Sequence, residues 1–296
     1  MKNNSKFLLL LSMFIFGTIG IFRKYIPLPS SLLAMSRGFI GTLFLLVVIF
    51  IKKEKMCWKS IKSNLLLLVL SGAFIGFNWI FLFEAYRYTT VATATLCYYM
   101  APIFVILVSP LFFKEKLTLK KSICVAVAIT GMVFVSGILQ SGFNATKEMK
   151  GVILGLMAAL LYAGVVVMNK HIKSVSAFDK TIVQLGTSAV VLLPYTMLTE
   201  NLAEITFTPT LIIMLCIVGI VHTGIAYTLY FGVMDKLKAQ TVALFSYVDP
   251  VVAILLSAVI LHENIGVWGY IGAVLVLGAT LVSELPEKNK LSGESP

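Results

Sequence analysis

The sequence predicts an all-α integral membrane protein of ten transmembrane helices, arranged as two inverted five-helix repeats with both termini cytoplasmic. Three observations carry the prediction. The 296 residues are 59% hydrophobic and only 12% charged, far from the roughly 45–50% and 25% of soluble domains. The stretch from Tyr98 to Glu115 returns from Ser246 to Glu263 at a constant offset. Finally, lysine and arginine concentrate in alternate connections between apolar runs.

A span needs about 20 mostly apolar residues, and ten runs qualify: 6–23, 31–51, 64–85, 90–113, 121–139, 150–170, 178–198, 208–234, 240–261 and 265–284. Lys2 and Lys6 precede the first, which is read as an uncleaved span because no small-residue cleavage site follows it. Five lysines from Lys52 to Lys62 separate the second from the third, and four from Lys114 to Lys121 separate the fourth from the fifth. One set of alternate connections holds 18 lysines and arginines, the other 5. Basic residues favour the cytoplasmic side, which fixes the predicted orientation.

The repeat aligns Tyr99 with Tyr247, Pro102 with Pro250, Ser109 with Ser257 and Glu115 with Glu263, and upstream Gly76 with Gly224 and Phe83 with Phe231. Five spans per copy is an odd number, so the second copy must be upside down. Glu115 accordingly sits among lysines, whereas Glu263 is flanked by His262 and Asn264. The expected units are 1–142 and 143–285, each a five-span repeat, with a polar tail at 286–296 expected to be disordered.

Several classes are excluded on composition and motif. The net charge of +11 comes from clusters between spans, with no interleaved aromatics, so nucleic acid is not a partner. The cysteines lack CxxC spacing, the run from His262 fails HExxH at Gly266, and no P-loop appears. No metal and no cofactor are expected. The absence of HxxxxD, GxSxG or DxxD runs argues against an intramembrane lipid-modifying enzyme, since catalysis needs convergent groups. The chain is therefore not read as an enzyme.

Ionisable groups inside spans are costly and serve as candidate functional residues. Asp249, directly before Pro250, falls near the bilayer midplane and is the leading candidate. Proline removes a backbone donor and frees a carbonyl one turn earlier, so Pro102 and Pro250 are candidate helix breaks or hinges. Tyr99 and Tyr247 share the face of each break. His222, Asn78 and Trp79 lie at similar depth and are candidates for the substrate or proton path. Arg37 and Glu84 are placed near the outer ends of their spans, where they could pair with each other, or Arg37 could snorkel to the interface or steer a carboxylate inward. Glu115, Glu263 and Glu84 are candidate gate or loop-anchoring groups. The pairs Gly72 with Gly76 and Gly151 with Gly155 have GxxxG spacing, which admits a homodimer.

Ten spans in two five-span repeats, with Pro102 and Glu115 answered by Pro250 and Glu263, resemble the drug/metabolite transporter superfamily, and within it the EamA-type permeases. The resemblance covers nearly the whole chain. It implies a multi-pass permease of the cell membrane, plasma or inner, that moves a small metabolite by alternating access, with inverted halves rocking about a midplane site. Among substrates an amino acid or amine is favoured, with protons as the coupling ion and export as the direction. The alternatives are a passive channel or uniporter, or a membrane scaffold.

Overall fold

The computed structural model describes residues 2–114, 117–136, 146–234, 236–237 and 245–285. Within a bilayer every backbone polar group must be satisfied inside its own segment, and the described residues meet this with helices and no strand. Apart from two short helical segments in connections, Trp58–Ser63 and Leu202–Glu204, these are in chain order α1 (Lys2–Gly17 and Ile19–Tyr25, interrupted at Thr18), α2 (Ser30–Ile51), α3 (Leu65–Tyr88), α4 (Val91–Tyr98 and Ala101–Phe113), α5 (Leu119–Val135), α6 (Thr146–His171), α7 (Ala177–Thr199), α8 (Pro209–Met234), α9 (Val248–Ile260) and α10 (Gly266–Glu284).

Eight of these are long and apolar enough to cross a membrane. The other two occupy the fifth and ninth predicted positions: α5 has 17 residues and α9 has 13. For α9 the residues that would complete the crossing lie outside the described ones. So do Glu115, the expected boundary at 142, and the tail from 286.

Local chemistry sets where the helices start. Thr90, Thr118, Ser176 and Thr208 each stand at the N-cap, and their side-chain oxygens accept from Thr93, Lys121, Asp179 and Leu211 backbone N–H groups. α8 departs from regular geometry over Ile217–Ile225, a nine-residue π-helical stretch. There Thr223 Oγ1 donates to the carbonyl of Val218, five residues back. Such wide turns are rare and concentrate at functional sites.

The two halves pack as a pseudo-twofold pair. Exchanging each helix of the first five for its counterpart in the second maps the largest contacts onto one another: α2 with α7, α4 with α9 and α5 with α10 map onto themselves. Likewise α3 with α6 maps onto α8 with α1, α3 with α7 onto α8 with α2, and α4 with α6 onto α9 with α1. Small residues permit these close crossings. A Cβ on Gly76 would stand 3.0 Å from Leu192 of α7, and one on its repeat mate Gly224 would stand 2.5 Å from Phe44 of α2. The GxxxG pairs are therefore used within the chain: Gly72 and Gly76 face α7, while Gly151 and Gly155 face Thr89 and Cys97.

Candidate functional site

Both broken helices meet at the interface of the halves. α4 is interrupted at Tyr99 and Met100, and α9 begins just after Tyr247. The sequence reading placed the breaks at the prolines. Instead each break lies two to three residues upstream, and Pro102 and Pro250 sit in the first turn of the helix that follows, where a missing N–H costs nothing. The Tyr99 hydroxyl donates to the carbonyl of Ser246 at 3.1 Å, four residues before Pro250. This is the acceptor that Pro250, without an N–H, cannot serve. The rings of Tyr99 and Tyr247 lie 6.3 Å apart.

Asp249 occupies the first turn of α9. Gly17 of α1 lies against it: a Cβ there would come within 2.6 Å of the Asp249 carbonyl oxygen. Asp249 is partly exposed, three residues beyond the Ser246 carbonyl that takes the Tyr99 proton. Tyr86 of α3, Tyr98 of α4, Tyr162 of α6 and Tyr227 of α8 lie within electrostatic range of Asp249. Aromatic contacts link several of these helices: Tyr98 with Tyr99 at 6.3 Å, Tyr98 with Tyr162 at 5.5 Å, and Phe16 with Tyr227 at 5.2 Å.

Of the three placements open to Arg37 in the sequence, the structure shows neither the pair with Glu84 nor an interfacial position: the residue is buried inside the bundle. It is only 6% exposed, eight residues into a 22-residue helix. Its Nε donates to Thr223 Oγ1 at 2.8 Å, and its guanidinium carbon lies 4.3 Å from the centre of the Trp79 ring. Glu84 is engaged elsewhere: it accepts from Ser30 Oγ at 2.6 Å and from Arg87 Nη1 at 3.0 Å. Ser30 in turn accepts from the buried Arg23 at 3.0 Å. Depth along a helix says nothing of rotation, which is why the Arg37–Glu84 pairing fails.

His222 and Asn78 are buried at helix crossings. His222 Nε2 lies 2.8 Å from Thr18 Oγ1 at the interruption of α1, and Nδ1 lies 3.4 Å from the carbonyl of Ile217, with Phe22 against the ring at 4.7 Å. The imidazole thus ties the wide turn of α8 to the irregular residue of α1. Asn78 Nδ2 donates to the carbonyl of Ala158, joining α3 to α6. Glu263 joins three elements: its carboxylate meets Lys24 at 2.9 Å and accepts from the Val91 backbone N–H at 2.7 Å and from Ser257 Oγ at 2.6 Å.

Five contributors escaped the sequence reading. Tyr86, Tyr162 and Tyr227 lie in apolar runs where nothing marks them out, and Tyr98 opens the repeated stretch but was passed over for its neighbour Tyr99. Thr223 carried a faint signal, a threonine beside the singled-out His222 in a run with Gly219 and Gly224.

Comparison with known proteins bears on the whole arrangement. The sequence profile of the EamA-like transporter family matches residues 4–137 and 149–284. The chain is 29% identical over 291 residues to an uncharacterised transporter of Bacillus subtilis, YxxF, covering 98% of this chain and 92% of that one. It is 24% identical over 254 residues to an uncharacterised transporter of Archaeoglobus fulgidus, covering 84% and 86%. One solved crystal structure aligns over 95% of this chain and 97% of its own with a TM-score of 0.67 at 18% identity, a likeness of fold alone.

Proposed function

The chain belongs to the EamA-like transporter family, a multi-pass protein of the cell membrane, and we propose that it is a secondary transporter. On this reading it carries a small polar or amphipathic metabolite bearing a cationic amine, by alternating access, with protons as the coupling ion and export as the direction. The observation that supports it is Asp249: a partly exposed acidic residue at a helix break where the two halves meet, with no ion-pair partner among the described residues. A carboxylate withdrawn from water exchanges a proton for a cationic group, and tyrosine faces and hydroxyls suit an amine. The pseudo-twofold packing favours rocking of one half against the other about that point.

The test is flux in proteoliposomes, with and without a pH gradient, of amino acids, amines and sugars, for wild type and Asp249→Asn. Saturable flux of an amine-bearing class, accelerated by the gradient and lost in the variant, is expected. Gradient-independent flux that the variant retains would instead make the protein a uniporter and return Asp249 to a packing role.

A further inference from the structure

We propose that the cavity between the α2–α3 and α6–α7 connections is a second site for the carried molecule, where a cationic amine is collected at the end of the bundle that loop charge predicts to be cytoplasmic. The inference rests on the transport reading and adds to it a place that holds the amine away from Asp249. The cavity measures about 410 Å³, within the range of ligand pockets, roughly 300–1,000 Å³. Both halves line it: Glu54 and Cys57 from the first, Ser176, Phe178 and Asp179 from the second.

The chemistry of the lining is unbalanced. Asp179 is only 5% exposed. Its Oδ2 accepts from the Cys57 backbone N–H at 3.3 Å, while its Oδ1 has no partner among the described residues and neither oxygen meets a cation there. Ser176 Oγ already caps α7 by accepting from the Asp179 backbone N–H, so the helix start is satisfied without the carboxylate. Glu54 adds a second carboxylate with no ion pair among the described residues, against the one lining ammonium of Lys55. A buried carboxylate without a counter-charge is costly, and a cationic ligand supplies one. Phe178 provides the other half of the recognition. The exposed Lys52 lays its Nζ 4.9 Å from the centre of that ring, so the face already seats an ammonium, which an incoming amine would displace.

Phe178 also ties the cavity to the interior. Its ring lies 6.2 Å from that of Phe231 in α8, Phe231 stacks on Tyr227 at 5.7 Å, and Tyr227 meets Phe16 of α1 at 5.2 Å. The next residue, Gly17, is the one that lies against the Asp249 carbonyl. A file of ring contacts therefore runs from the cavity wall to the helix break. Ring faces hold a cation weakly enough to pass it on.

Cys57 lines the cavity and is exposed, so its modification reports occupancy without any flux. The experiment follows the reaction of Cys57 with dithiodipyridine in detergent-purified protein, with phenethylamine as the probe, phenylethyl alcohol as its neutral counterpart and Cys57→Ser as the blank. Phenethylamine should slow the reaction saturably, about five- to tenfold, by blocking access to the thiol, and the alcohol should not. Asp179→Asn should raise the half-protecting concentration about tenfold, the scale of a contact with a charged group, while Asp249→Asn leaves it unchanged. Lys52→Gln, which frees the Phe178 face, should lower it, and it decides the matter if Asp179→Asn does not fold. No protection, equal protection by the alcohol, protection lost in Asp249→Asn, or a half-protecting concentration that Asp179→Asn and Lys52→Gln leave unmoved would overturn the site and leave the transport reading standing. Protection intact in a protein that moves no amine would uphold the site and overturn the transport reading.

Discussion

The hydroxyl of Tyr99, at the break in one half, donates to the carbonyl of Ser246, at the break in the other. The first half thus supplies the donor that Pro250 of the second half lacks, and the bond lies next to Asp249. Tyr99→Phe should cost about 1 kcal/mol of stability, the usual worth of one such bond. Flux should fall by more than that loss explains, because the bond holds the turn that leads into Asp249. Thermal unfolding in detergent and flux on the same preparation check this together.

Asp249→Asn keeps the volume and removes the charge. Transport of an amine-bearing substrate should drop about 100-fold, in keeping with a lost charge-assisted contact, while the melting temperature stays within a few degrees. Undiminished flux would sink the assignment.

Gly17→Ala should be disproportionately harmful. The added methyl meets a backbone carbonyl at 2.6 Å and Val252 Cβ at 2.8 Å, so α1 and α9 must part, at a cost of about 1–3 kcal/mol. Gly278→Ala in α10, with nothing within 4 Å, is the control. It should be neutral or slightly stabilising, since alanine is the better helix former.

Glu263 offers a contrast in magnitudes. Its pair with Lys24 is partly exposed, with side chains 29% and 14% accessible, so Lys24→Ala should cost less than about 1 kcal/mol. Glu263→Ala also strips the acceptor from the first N–H of α4 and from Ser257, and should cost about 2–3 kcal/mol. The difference in melting temperature between the two variants is the readout.

Cys57 reports on orientation. It is exposed, and hydrogen bonding from Ser60 holds its thiol below the ordinary range, which raises the thiolate fraction at neutral pH. A membrane-impermeant maleimide should label it in inside-out vesicles and not in intact cells, with Cys57→Ser as the blank. Ser60→Ala should slow the labelling several-fold at pH 7. Labelling from outside would reverse the predicted placement of the termini.

The helical class and the repeat were legible because apolar length and loop charge are one-dimensional signals that a bilayer reads directly. Asp249 stood out for the same reason, as a rare charge beside a proline. For Arg37 the sequence left three placements open, because its fate depends on which way α2 is turned, and a uniformly apolar helix carries no periodic stripe to reveal that. The cluster of Arg23, Ser30, Glu84 and Arg87 was invisible because its members come from three helices and are joined only by packing. The interruption at Thr18 has neither proline nor glycine at the break itself. It becomes intelligible only once His222 is seen beside it.

The wide turn of α8 acts as a phase shifter. Within it, His222 and Thr223 serve α1 and Arg37; downstream, Tyr227 and Phe231 stack at 5.7 Å. Deleting one residue between 217 and 225 would change no charge and little hydrophobicity, yet it would rotate everything beyond by about 100°. Tyr227 would turn away from Phe16, although the helix would remain long enough to cross the bilayer. Residue count in that stretch is therefore a constraint in its own right, independent of which residues fill it.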